Sequence, residues 1–168
     1  MKRNVYMVVI NPSTKATEDT IEFKKIAEAS LGSSFRSRNS IPHLTVHLCE
    51  DFHNESKLYD FQKTTSQIKP FKIFIDGFGI FKTNGTIFLR PVFDENIRLL
   101  SEQLSGERIT PHITIARNLK PSERDLLWAI FETMTYSHDF LCTNVIVLKR
   151  VNNRWLKHIE LDLGSSRN

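Results

Sequence analysis

The five residues PHLTV at Pro42–Val46 return almost letter for letter as PHITI at Pro111–Ile115. A proline, a histidine, an aliphatic residue, a threonine and a second aliphatic residue should meet by composition roughly once in several hundred thousand positions. Two copies in 168 residues mark a repeated element, not an accident of composition. The alternation of polar and apolar letters is that of a strand with one buried face. On that pattern His43, Thr45 and His47 share one face while Leu44, Val46 and Leu48 share the other, and in the second copy His112 and Thr114 oppose Ile113 and Ile115. The proline ahead of each histidine stands at the first residue of the strand, where its missing N–H costs the ladder least, and it gives the histidine a rigid seat.

Other strand signals, rich in β-branched and aromatic residues, complete a set of seven: 5–10, 43–49, 71–81, 86–92, 112–117, 144–150 and 155–161. The turn phrases TNG at 83–85 and VNN at 151–153 join the third strand to the fourth and the sixth to the seventh as hairpins. Four helical patterns lie between. The first runs from about Thr17, with Glu18 and Asp19 in its opening turn, to Leu31, where Gly32 can cap it. The second follows Asn54 as cap and carries Leu58, Phe61 and Ile68. The third runs from Asp94 through Ile97, Leu100 and Leu104 to Gly106, and the fourth opens near Pro121 or Ser122 and carries Leu126, Leu127, Ile130 and Phe131. The order β-α-β-α-β-β-α-β-α-β-β does not alternate strictly enough for a doubly wound parallel sheet and predicts an α+β fold. A chain of this length is expected to form one domain over residues 1–168, with one copy of the repeated phrase in each of two lobes.

Composition narrows the classes. With 40% hydrophobic and 25% charged residues the chain reads as a soluble globular protein. The apolar run VYMVVI is too short for a signal-peptide core or a membrane span, so a cytoplasmic location without a membrane partner is expected. Cys49 and Cys142 make neither a disulfide framework nor a metal-ligand spacing and are expected to be buried, inert thiols in a reducing compartment. A net charge of +4 mildly favours a phosphate-bearing partner, although no basic run gathers that charge in one place.

The repeated phrase suits phosphodiester chemistry. Attack on phosphorus by a neighbouring oxygen needs a proton taken from the attacking group and another given to the leaving oxygen on the opposite side. Two imidazoles supply both, because an ordinary histidine pKa near 6.5 allows one ring to be neutral while the other is protonated. A threonine two residues along the same face can direct its hydroxyl at a non-bridging phosphate oxygen as charge builds there. The candidate catalytic residues are therefore His43 and His112, and Thr45 and Thr114 are candidate substrate-binding residues. No metal or cofactor is required by this scheme. Two alternatives remain open: a zinc site formed by His43, His47 and His112 in a metallohydrolase, and a non-catalytic module that binds RNA ends in the same cleft. His47 is expected at the cleft edge or surface, and His53, His138 and His158 at the surface or in loops. Arg36 and Arg38, just ahead of the first motif, could reach a phosphate chain, but a solvated loop is the expected setting.

Two His-x-Thr-x phrases with apolar x positions, one in each half of a small α+β chain, resemble the 2H phosphoesterase superfamily. Its members include bacterial 2′-5′ RNA ligase-like proteins, 2′,3′-cyclic nucleotide phosphodiesterases and 2′,5′-oligoadenylate phosphodiesterases. The resemblance spans nearly the whole chain: the opening strand, GFGIF followed by TIFLRPV, TPHITIAR, and the closing hairpin NVIVLKRVNNRWLKHIEL. It implies pseudo-two-fold related lobes, each an antiparallel sheet flanked by helices, with the motifs facing each other across a central cleft. It further implies an enzyme acting without metal on a nucleotide or RNA with a 2′,3′-cyclic phosphate or a 2′-5′ linkage, expected as a monomer. Arg117 matches a basic residue often found after the second motif and is implied as a substrate contact. Simple alternation would turn Arg117 away from His112 unless the strand ends or bulges there. The histidines stand 69 residues apart (112 − 43), a short spacing for the superfamily, as if specificity-shaping insertions were trimmed.

Overall fold

The structure, a computed structural model, describes residues 5–50 and 55–164, without the side chains of residues 49, 50 and 55–57. The Cys49 thiol, His53 and the expected helix cap Asn54 lie outside the described residues. The elements are β1 (Val5–Ile10), α1 (Thr14–Leu31), β2 (Leu44–Glu50), α2 (Glu55–Gln67), β3 (Phe71–Phe81), β4 (Thr86–Val92), α3 (Glu95–Ser105), β5 (Ile113–Ala116), α4 (Pro121–Phe131), β6 (Ser137–Cys142), β7 (Asn144–Val151) and β8 (Arg154–Asp162). The fold is α+β, as expected.

All eight strands join one antiparallel sheet in the order β6-β3-β4-β5-β2-β1-β7-β8. The two motif strands, β5 and β2, occupy its middle, and the three strands outside each repeat the same antiparallel plan. Among the described residues one ladder pair, Leu44 with Ile113, joins β2 to β5. Two four-stranded halves therefore meet along a seam one pair deep. The expected hairpins β3–β4 and β7–β8 both form, the second through Asn152 and Asn153, which adopt the positive φ values of 48° and 63° that asparagine tolerates best after glycine.

Two elements differ from the sequence expectation. The strand β6 is not among the seven that the sequence predicts, because SHDFLC is polar and poor in β-branched residues; as an edge strand it draws on Phe140 and Cys142, which are buried against β3. Helix α1 starts three residues earlier than predicted. The Ser13 hydroxyl accepts the Ala16 N–H at 3.2 Å and caps the helix there, so Glu18 and Asp19 lie in its second turn.

The sheet is strongly curled. In strand order β6 and β7 are six places apart, about 29 Å across a flat sheet at ~4.8 Å per strand, yet Thr143 alone connects them. All four helices pack on one face, over a core that includes Ile10, Leu44, Val46, Ile113, Ile115, Leu127 and Phe131. The other face lies inside the curl, and where β6 and β7 meet a hollow of about 480 Å³ opens, lined by Leu141, Ile146 and Glu160 together with the loop Asn11–Ser13 and the core residue Phe140.

The order β-α-β-α occurs twice, as β1-α1-β2-α2 and β4-α3-β5-α4. The first helix of each run packs against the motif strand of the other. Helix α1 lies on β5 and beside α4, while α3 lies on β2 and beside α2.

Candidate active site

The Leu44–Ile113 pair turns both side chains into the helix-covered core, where both are fully buried. Their neighbours must then face the concave side. Continuing that register by one residue either way sets His43 across from Thr114 and Thr45 across from His112. His43 and His112 occupy one diagonal of this square, where neighbours stand about 7–8 Å apart and their Cβ atoms somewhat closer; the threonines occupy the other. All four side chains are partly buried.

Each ring is tethered in the same way. His43 Nδ1 lies 2.8 Å from the Ile41 carbonyl oxygen, and His112 Nδ1 lies 2.9 Å from that of Thr110. A carbonyl only accepts, so Nδ1 carries the hydrogen in both rings and Nε2 is left as the working nitrogen. The proline between acceptor and histidine, Pro42 or Pro111, favours the extended backbone that brings the carbonyl of the residue before it round to the ring. Thr45 directs its hydroxyl at the Met7 thioether, a weak acceptor at 3.6 Å, which leaves the donor available to a stronger one.

Both motif strands bulge immediately after the threonine. In β2, Val9 pairs with Thr45 and Val8 with His47, so Val46 is the extra residue; in β5, Phe88 pairs with Thr114 and Ile87 with Ala116, so Ile115 is. A bulged residue leaves its own carbonyl out of the ladder. Buried serines supply the missing donors, each from the opposite half: Ser101 of α3 donates to Val46 O at 2.9 Å, and Ser37, in the loop after α1, donates to Ile115 O at 3.4 Å.

These bulges reset the faces. His47 does not share the face of His43: it turns with Val8 toward the helices, where its ring stands 6.3 Å from that of Phe61. That corrects both the expected cleft-edge place of His47 and the three-histidine zinc arrangement. Among the described residues, no three histidine, cysteine or acidic side chains converge as ligands. The same reset at Ile115 buries Ala116, and β5 ends there, so Arg117, which is exposed, follows the strand and is not bound by its alternation. Its backbone N–H donates to Ser37 Oγ at 3.1 Å, and its positive charge acts on His43. The equivalent position in β2 is Leu48, which is exposed.

The surroundings of the two rings differ accordingly. Burial lowers the His43 pKa below its ordinary 6.5, and the charges of Lys24, Arg117 and His112 push it further the same way against the Ile41 bond. Burial also lowers that of His112, whose walls are aromatic: the rings of Phe81 and Phe88 stand 5.1 Å and 5.5 Å from it, both edge-on. Phe88 holds that place because its ring lies over Gly79, where a Cβ would come within 2.4 Å of it.

The sequence carries a wider signature of this arrangement: the model of the 2′-5′ RNA ligase superfamily matches residues 16–154. The chain belongs to that superfamily. Solved structures share the fold of this superfamily member at low sequence identity. LigT of E. coli complexed with phosphate has a TM-score of 0.68 at 14% identity, covering 97% of this chain and 99% of that one. A phosphoesterase gives 0.66 at 14% identity, covering 96% and 99%. TT0787 of Thermus thermophilus gives 0.64 at 15% identity, covering 98% and 100%. No protein of curated function matches the sequence.

Several residues of this superfamily member lie away from the motif square. His138 is part of β6 and not of a loop; its Nε2 is 2.9 Å from Ser13 Oγ at the start of α1. His158 is exposed, with its ring 5.5 Å from that of Tyr6. Arg38 bonds Glu28 at 2.7 Å, and Arg36 is exposed. Cys142 is buried and its thiol pKa is pushed up to about 12, which keeps it unreactive. Among the described residues no helix is long and apolar enough to cross a membrane. Sequence reading misses Ser37, Ser101, Gly79 and Lys24. Serines and glycines carry no periodic signal, and the place of Lys24 on the buried stripe of α1 with Ala16, Thr20, Phe23 and Ala27 is the one clue that spacing offers.

Proposed function

We propose that this chain is a metal-independent phosphoesterase that acts on 2′,3′-cyclic phosphate or 2′-5′-linked nucleotides or RNA, with His43 and His112 as its acid–base pair, working as one domain over residues 1–168. The observation that carries this reading is the matched tether of the two rings, which occupies Nδ1 in each and leaves one Nε2 ahead of each motif strand free to exchange a proton. One Nε2 takes a proton from the attacking water or ribose hydroxyl as the new P–O bond forms. The other, protonated, gives its hydrogen to the ribose oxygen as the old bond breaks. Thr45 and Thr114 donate to the non-bridging oxygens, and Arg117 supplies the charge that holds the phosphate. Ligation through a 2′-5′ bond runs the same proton transfers in reverse. Membership of the superfamily supports this substrate class, as do the neighbouring LigT structures complexed with phosphate and with 3′-AMP.

The test is turnover of 2′,3′-cyclic nucleotides and 2′-5′ dinucleotides in the presence of a chelator, for the native chain and for His43→Ala and His112→Ala. Activity that persists with chelator and falls at least ~100-fold in each variant, the low end of what general acid–base catalysis contributes, is the expected result. Turnover that survives both substitutions, or binding of RNA ends with no product from any substrate, would overturn the reading.

A further inference from the structure

Lys24 is the most unusual residue outside the motif square. It lies midway along α1, on the face that packs against β5, and is 1% exposed. Its ammonium donates to three oxygens, Ser37 O at 2.8 Å, Ser40 O at 2.7 Å and Ser40 Oγ at 2.8 Å. None is a carboxylate, and among the described residues no acidic side chain pairs with it. Taking an ammonium out of water without a counter-ion is among the costliest substitutions a core can carry, and a methionine of the same length would fill the space. The charge therefore calls for a reason beyond packing.

We propose that Lys24 is a positioning residue for the His43 half of the site: its ammonium fixes the turn at 36–40 that delivers His43, and lends the phosphate-binding cleft a positive charge that no carboxylate among the described residues pairs with. This rests on the reading of the cleft as a phosphate site. The turn leads directly into Ile41, whose carbonyl holds His43 Nδ1, and Pro42. Ser37, whose carbonyl the ammonium holds, also bonds Ile115 O and accepts the Arg117 N–H. One buried cation thus braces the approach to the first motif and, through a single serine, the end of the second.

The electrostatics run the same way. Burial, followed by the charges of Arg38 and Arg117, brings the Lys24 pKa down to about 8, so the group is mostly charged at neutral pH. The groups that face it are the oxygens of Ser37 and Ser40, the cations Arg38 and Arg117, and His43, on which Lys24 is the leading charge. Arg38 is matched by Glu28. Lys24 and Arg117 are left as a pair of cations behind and beside His43, favouring its neutral ring and attracting an anion in front of it. Among the described residues nothing comparable stands behind His112, whose neighbours are aromatic.

The experiment is Lys24→Met, read by NMR titration of both imidazoles and by the affinity for inorganic phosphate, neither of which needs turnover. The His43 pKa is expected to rise by about half a pH unit or more as the cation is removed, with His112 unmoved, and phosphate is expected to bind about tenfold more weakly. A folded variant in which His43 and phosphate affinity both stay where they were overturns the proposal, because a purely structural lysine would change stability alone. Should the variant fail to fold, the native chain decides: by reciprocity, saturating phosphate must raise the pKa of the Lys24 ammonium, followed by side-chain NMR. No rise overturns the assignment. A chain inactive on every cyclic or 2′-5′ substrate yet showing this coupling would sink the proposed reaction and leave the role of Lys24 standing.

Discussion

His43 and His112 stand immediately before Leu44 and Ile113, the pair that joins β2 to β5 among the described residues, and each gives its Nδ1 hydrogen to the carbonyl two residues before it. The tether and the working nitrogen are thus separable in each ring. Asparagine keeps a donor near the Nδ1 position and has nothing at Nε2. His43→Asn and His112→Asn should therefore hold their loops in place, with melting temperatures close to native, while losing at least ~100-fold in kcat. The double variant should lose little more than either single one, since the two rings act as a unit. Calorimetry and steady-state kinetics on the same samples check both halves of the expectation.

Thr45 and Thr114 share the concave face with the rings, and among the described residues the acceptor that Thr45 finds for its hydroxyl is a thioether. Valine preserves the β-branched shape on the strand and removes the donor. Each Thr→Val change should lower kcat by about 10- to 1,000-fold with a smaller change in KM, the pattern of a bond made mainly in the transition state. A rise in KM at constant kcat would assign the hydroxyls to ground-state binding instead.

Both histidine pKa values lie below 6.5 in the free protein. The unfolded chain then binds more protons than the folded one between those lowered values and 6.5. Stability carried by the neutral rings is complete above pH 6.5 and is lost as pH falls through that window. Chemical unfolding at pH 7.5 and at pH 5.5 should show the loss, and His43→Asn should diminish it. For catalysis, the bell in kcat/KM reports the free enzyme's acid and base and should centre on the acid side of 6.5. A centre above 7 would contradict the cation-flanked, partly buried setting of these rings.

Gly79 permits the Phe88 ring to lie over β3 and wall His112. Gly79→Ala forces that ring aside and should cost about 1–3 kcal/mol of stability, as overpacking does. Displacing His112 should lower kcat/KM by about 10- to 100-fold. Adding Phe88→Leu should recover stability without recovering activity, and His112 should titrate closer to its ordinary value as its wall opens.

The repeated phrase is enough to locate His43, Thr45, His112 and Thr114, because alternation along a strand is a strong local rule and both copies obey it up to the threonine. The rule fails one residue later. Nothing in VHL or IAR announces that Val46 and Ile115 bulge, since a bulge is imposed by the neighbouring strands, and so alternation puts His47 on the wrong face and leaves Arg117 without a place. A third bulge, at Gly77 with φ of 69°, explains why Phe74, Phe78 and Phe81 follow no single parity: Phe78 enters the core while Phe74 stays exposed and Phe81 meets His112. The helices announce themselves through apolar spacing and, for α1 and α3, through the glycines Gly32 and Gly106 that end them. The serines that close the bulges and the buried lysine act across sequence separations that no local pattern reports.

Because α1 lies under β5 and α3 under β2, each half of the chain supplies the helix that covers the other half's motif strand. Cutting the tip at Thr83–Gly85 would yield two fragments, each carrying one motif histidine and the helix that covers the other's strand. Neither alone should have activity, and co-expression should reconstitute it, as with the two halves of a clasp. For the intact molecule, the same interlacing makes the gap between the two rings a property of the whole chain, unable to widen by simple hinging at the seam without tearing a helix from the strand it supports.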